Sequence, residues 1–153
     1  MARRVYFAFH FEKDIWRINQ VRNSNVVAGA DRAGFYDHSE YEEAQRKGSE
    51  EIKRKIREQL KGTSVTVVLI GEETSSRPYV QYEIEQSVAQ KNGLLGIYIH
   101  NVEDQKKQTS ARGAKPSVPF GTEFPTYDWD RDLDRLRLEI EAAGKRSDKL
   151  RGI

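Results

Sequence analysis

Ser64-Val65-Thr66-Val67-Val68-Leu69-Ile70-Gly71 is a near-continuous β-branched run closed by a glycine. A strand with one wet face alternates polar and apolar residues, whereas a run like this one suits a central parallel strand covered on both faces. The chain then turns polar through Glu72-Glu73-Thr74-Ser75-Ser76-Arg77 and reaches Pro78. Proline suits the first turn of a helix, where its missing N–H costs nothing, and Ser75 or Ser76 is placed to cap the free amides. From Pro78 onward Val80, Ile84, Ser87 and Val88 share one helical face, and Tyr79, Glu83, Gln86 and Gln90 form the neighbouring stripe. Asn92-Gly93 closes that helix, and Leu94 to His100 supplies a second buried strand. Strand, helix and strand in this order define a parallel βαβ unit with a right-handed crossover. Glu83 therefore sits at the margin of a buried helix face, just past the carboxyl end of a central strand, where α/β sheets bind ligands.

Upstream, Arg3 to Phe11 is an aromatic and β-branched segment that reads as the first strand. Ile15, Ile18 and Val21 give a helical stripe over Asp14 to Asn23, and Gly29 to Gly34 reads as a loop. Phe35-Tyr36-Asp37 fits a short second strand. Ser49, Glu50 and Glu51 open a helix whose Ile52, Ile56 and Leu60 repeat every four residues up to Gly62, with Ser49 as its cap. Downstream, the polar stretch 101–124 is longer than compact domains usually leave without structure, which predicts a flap or lid. Pro125 to Trp129 fits an edge strand. Asp130 is placed to cap a helix carrying Leu133, Leu136 and Ile140, which the pattern ends near Gly144. The expected organisation is one domain over 1–144 with a loose basic tail over 145–153. Its fold class is an α/β three-layer sandwich, flavodoxin-like, with about five parallel strands in the order 2-1-3-4-5.

Composition narrows the function. The chain has 153 residues, 26 Lys+Arg against 24 Asp+Glu and a formal charge of +2, so no strong field draws it to nucleic acid or an acidic membrane. Cysteine is absent, which removes disulfides, thiolate metal sites and cysteine nucleophiles, and His10, His38 and His100 show no ligand spacing. No metal and no resident cofactor are expected. No run has the length of a membrane span, and Met1-Ala2-Arg3-Arg4 leads into a strand without a signal-peptide core, so a soluble cytoplasmic protein is expected.

The loops after Phe9, Tyr36 and Ile70 should surround one crevice in this topology. No GxGxxG turn or P-loop is present, and the central strand lacks the terminal Asp of a phosphorelay receiver. The crevice instead offers the aromatics Phe9, Phe11, Phe35, Tyr36, Tyr79 and Tyr82, one histidine, His10, and the carboxylate of Glu83. Aromatic faces hold nucleobases and cationic rings. An anion stabilises the oxocarbenium-like transition state of N-glycosidic bond cleavage directly, and a leaving group that is already cationic needs no general acid. Against this stands a plainer reading of Glu83 as one more solvated charge on an amphipathic helix, like Glu85.

Ser76-Arg77-Pro78-Tyr79-Val80-Gln81-Tyr82-Glu83-Ile84, with the Val-Thr-Val-Val-Leu-Ile strand before it, resembles a TIR domain. More narrowly, Phe7-Ala8-Phe9, Asp14 to Gln20 and Tyr127-Asp128-Trp129 resemble the ThsB-like group of TIR proteins from the Thoeris antiviral system. The resemblance implies an enzyme that consumes NAD by cleaving its nicotinamide–ribose bond and cyclises the ADP-ribose product into a diffusible signal for a partner effector. Glu83 matches the family's catalytic glutamate. Phe9, His10, Phe11, Tyr36, Asp37, Ser76 and Tyr79 match its nucleotide-lining positions, with Tyr79 standing for the usual Trp and His10 for a more common Arg or other polar residue. Homo-oligomerisation is also implied. A non-catalytic TIR-like interaction module and a nucleoside deoxyribosyltransferase-like enzyme are the alternatives.

Overall fold

Five parallel strands carry the molecule, which a computed structural model describes over residues 3–22, 32–33 and 43–153. They are β1 (Val5–Ala8), β2 (Arg32–Ala33), β3 (Val65–Ile70), β4 (Gly93–Tyr98) and β5 (Thr126–Asp128), in the order β2-β1-β3-β4-β5. The long helices among the described residues are α1 (Phe11–Arg22), α2 (Ser49–Leu60), α3 (Pro78–Ala89) and α4 (Leu133–Arg151). This is the flavodoxin-like order expected from the sequence. All of β3 and β4 is buried, as continuous apolar runs between two helical layers require.

Register partners in a parallel sheet point to the same side. Tyr6 pairs with Thr66 and Thr66 with Leu94, so these three share a face, while Val5, Val65 and Gly93 share the other. α3 covers the first face, with Glu83 over Tyr6 and Ser87 over Thr66. α2 lies beside α3: Arg57 donates to the Tyr82 hydroxyl at 2.8 Å, and Gln90 Nε2 donates to the Leu60 carbonyl at 2.9 Å. Ile52, Ile56 and Leu60 are the buried stripe of α2, each contributing roughly 1.5–3 kcal/mol through burial. α4 covers the second face, so closely that a Cβ on Gly93 would lie 1.9 Å from the Ala143 carbonyl oxygen. Two helical layers around one sheet are the result.

Several sequence expectations are corrected. β1 ends at Ala8 and α1 begins at Phe11, since Asp14 N–H already donates to the His10 carbonyl; an apolar run does not show where a strand hands over to a helix. The second strand is Arg32–Ala33, inside the segment that reads as a loop, and Phe35, Tyr36 and Asp37 lie outside the described residues. A two-residue edge strand is defined by backbone pairing with Val5 and Tyr6, which hydropathy does not register. Neither Ser75 nor Ser76 caps α3: Thr74–Ser76 forms a 3-10 turn, Ser76 Oγ donates to the Glu73 carbonyl, and Arg77 is the uncapped N-cap. Gly48 rather than Ser49 is the N-cap of α2. Asp132, not Asp130, caps α4 by accepting the Arg135 N–H, while Asp130 accepts from the Asp132 N–H.

The loose tail is also corrected. α4 continues through Gly144 to Arg151 and stops at Gly152, whose φ of 74° is left-handed. Gly144 is not a stop but a close approach, where a Cβ would sit 2.3 Å from Arg3 Nε. Beyond it Ser147 is fully buried, and Arg151 donates to Asn92 Oδ1 at 2.9 Å and to the Gln90 carbonyl at 3.0 Å, so the last turns are docked on the body.

The stretch 101–124 is a tethered strap, not a free flap. Arg17, 5% exposed, donates to the carbonyls of Val102 and Gln108 at 2.9 Å each, and Gln20 donates to that of Glu103 at 2.6 Å. The strap then crosses the carboxyl end of β3, where a Cβ on Gly113 would lie 1.9 Å from the Gly71 carbonyl oxygen. Arg112 stacks 4.0 Å from the Tyr98 ring centroid, and Gln81 on α3 donates to the Ser117 carbonyl at 3.2 Å. No helix among the described residues is long and apolar enough to cross a membrane.

Candidate active site

α3 is fixed on the sheet by more than its apolar residues. Val80 and Ile84 are 2% and 0% exposed, and one turn on, a buried hydroxyl chain sets the helix's rotation. Asn92 Nδ2 donates to Thr66 Oγ1 at 3.0 Å, Thr66 Oγ1 donates to Ser87 Oγ at 2.7 Å, and Ser87 Oγ donates to the Glu83 carbonyl at 2.7 Å. With the helix held this way the Glu83 side chain is driven toward the sheet and is only 5% exposed, whereas Glu85 points to solvent. The solvated-charge reading fits Glu85 and fails for Glu83.

Beneath Glu83, the Tyr6 phenol donates a hydrogen bond to Oε2. No second hydrogen bond reaches this carboxylate among the described residues. Burial dominates its titration and the Tyr6 hydrogen bond partly opposes it, so the Glu83 carboxyl is pushed up to about 8. At neutral pH, with nothing bound, it holds its proton most of the time. A cation placed against it favours the carboxylate, so binding a positive ring and losing the Glu83 proton are linked events. Carboxyl groups tuned this far by a dry surrounding cluster at sites of chemistry.

The other candidate residues are spread unevenly. Phe9 is 7% exposed and belongs to the core, and His10 is half-buried at the turn between β1 and α1. Tyr79 is half-buried against the core one turn before Glu83, while Ser76 is exposed with its hydroxyl committed to the Glu73 carbonyl. The side chain of Phe11, like Tyr36 and Asp37, lies outside the described part of the structure.

Tyr6 belongs to the site although no local sequence pattern singles it out. In sequence it reads as one more strand former; the signal that marks it is that a fully buried tyrosine needs a partner for its hydroxyl. Asp14 is 1% exposed at the carboxyl end of β3, where Thr74 Oγ1 accepts from the Gly71 N–H at 2.8 Å and donates to Asp14 Oδ2 at 3.4 Å. Gly71 is required there, since a Cβ would stand 2.1 Å from that carboxylate oxygen.

Residues 6–104 match the family described as Thoeris protein ThsB, TIR-like domain, a span that holds both Tyr6 and Glu83. The chain belongs to that family. A Bacillus cereus protein named "Putative cyclic ADP-D-ribose synthase ThsB1" is 36% identical over 147 residues, which are 95% of this chain and 74% of that protein. In this ThsB-family domain the pairing of β1 with β3 and the docking of α3 on their shared face bring the buried glutamate onto Tyr6, whose register partner is Thr66.

Proposed function

We propose that this ThsB-family protein cleaves NAD between nicotinamide and ribose and closes the ADP-ribose on itself, making a cyclic ADP-ribose-type signal in a Thoeris-like antiviral response. The observation that carries this reading is the Glu83 carboxyl, buried beneath α3 and, among the described residues, hydrogen-bonded through its side chain to the Tyr6 phenol alone. An interaction module has no use for such a group, because a buried carboxyl lowers stability whenever it ionises. The relative's printed name supports the choice of substrate and product.

Nicotinamide in NAD is a pyridinium. As it approaches, Glu83 releases its proton to solvent, and the carboxylate then faces positive charge that moves from the ring nitrogen to the ribosyl carbon as the bond breaks. The bond electrons leave with nicotinamide, which departs neutral, so no acid is needed. Glu83 stabilises the ribosyl cation until the adenine of the same molecule, or water, attacks. Phe9, His10, Phe11, Tyr36, Asp37, Ser76 and Tyr79 are proposed as the NAD-lining positions, with the Tyr79 ring as a stacking surface. The product diffuses to a partner effector in the cytoplasm, and self-assembly is part of the proposal.

Purified protein incubated with NAD should release nicotinamide and a cyclised ADP-ribose, and Glu83→Gln should not. Equal turnover by the two proteins removes Glu83 from its role. Base exchange on nucleosides with NAD untouched favours the deoxyribosyltransferase-like alternative.

A further inference from the structure

We propose that Tyr6 is the positioning residue for Glu83: from β1 its phenol fixes one carboxylate oxygen and so sets the direction from which the other meets the ribosyl carbon. This rests on the reading of Glu83 as the group that stabilises the ribosyl cation. The two residues stand 77 positions apart and meet only because β1 lies beside β3 under α3. Tyr6 is fully buried, on a strand flanked on both sides, so its ring has no freedom to follow a wandering carboxylate; the carboxylate is held to the ring. The backbone end of the same residue is held as well, by the Ser87 hydroxyl on the Glu83 carbonyl. A glutamate has three rotatable bonds, and clamping it at both ends removes the conformers that would turn Oε1 away from substrate.

Merely satisfying a buried tyrosine hydroxyl is the competing explanation, and the two differ in whether the phenol's effect on the acid is carried into the pH profile and kcat of NAD cleavage. A donor to the carboxylate favours its ionised form and works against burial. Removing it with Tyr6→Phe, which keeps the ring and its packing, should move the Glu83 titration above its present value of about 8. The pH at which NAD cleavage rises should move up by the same interval. Near neutral pH kcat should fall roughly ten- to a hundredfold, the loss of one hydrogen bond to a charged group, while KM changes little. In a Glu83→Gln background the same substitution should cost nothing further.

The decisive measurement is the carboxyl titration of Glu83 by carbon-13 NMR in wild type and Tyr6→Phe, with the signal assigned by its absence in Glu83→Gln. An upward move of the midpoint, matched by the pH profile of NAD cleavage, supports the proposal. An unchanged midpoint overturns it, as does a loss of activity that is the same at every pH and tracks a fall in Tm. Because the titration is read without substrate, a wild type that leaves NAD intact defeats the enzymatic reading alone. The coupling of Tyr6 to Glu83 is still decided by the midpoint.

Discussion

The start of β1 serves two carboxylate sites, one on each side of the sheet, and they are built oppositely. On the α4 side Arg3 binds Glu141 and Asp148 through paired guanidinium contacts, with N–O distances of 3.0 and 2.9 Å to Oε1 and Oδ2. Both acids are partly exposed, and the Arg3 hydrogen bonds hold them below the usual carboxylate range. On the α3 side Glu83 is 5% exposed, has a neutral phenol instead of a cation, and its carboxyl is pushed up to about 8 by burial. A cation beside the acid gives a clamp that stays ionised and does no work; a dry acid without one is left to find its cation in a ligand. The comparison teaches that burial and the sign of the partner, rather than residue type, separate a carboxylate held ionised in a clamp from one whose titration is raised.

The largest break in this contrast is Glu83→Gln. It should lower NAD cleavage by about 10²–10³ or more, the range for losing one electrostatic stabiliser of a transition state, as measured by nicotinamide release. The corresponding change on the other side, Arg3→Met, should leave cleavage per folded molecule unchanged.

Stability sharpens the contrast through pH. Between about 4.5 and 8 folded wild type holds a Glu83 proton that the unfolded chain has released, so Glu83 lowers stability progressively as pH rises through that window. Glu83→Gln escapes this loss. Relative to their difference near pH 4, the variant should gain on wild type by about 2–4 kcal/mol at pH 9 in urea unfolding; a constant difference would remove the buried acid from the account. Gly113→Ala should be next, loosening the strap over Gly71 by about 1–3 kcal/mol through backbone overlap, seen as faster proteolysis within 101–124 with the rest of the fold intact. Arg3→Met should have the smallest effect, a modest fall in Tm. Its sign is the reverse of that for Glu83: Glu141 and Asp148 have lowered titrations, so the clamp's contribution is present above about pH 4–4.5 and fades as pH falls below it.

Much of this fold was legible because it is written locally. The run 65–70 carries its own evidence of two-sided burial, Ile52, Ile56 and Leu60 mark one face of α2, and Pro78 marks the start of α3. The candidate glutamate was legible for the same reason, since Val80 and Ile84 orient the helix that bears it. Elements that depend on distant partners were not. Arg32–Ala33 is a strand only because β1 offers it an edge, and the chain beyond Gly144 stays helical only because Arg3, Lys91 and Asn92 receive it. Asp130, Ser49 and the serines before Pro78 look like caps in sequence because several polar residues in a row can each fill that place, and backbone geometry chooses among them.

By itself, then, the sequence determined a parallel α/β sheet, the helix after its central strand and the placing of a carboxylate at that helix's buried edge, since hydrophobic period and proline act over a few residues. Tertiary structure decided what that carboxylate is. Only the side-by-side pairing of β1 and β3 brings Tyr6 under Glu83, and only the closing of both helical layers removes the water that would have made it an ordinary acid.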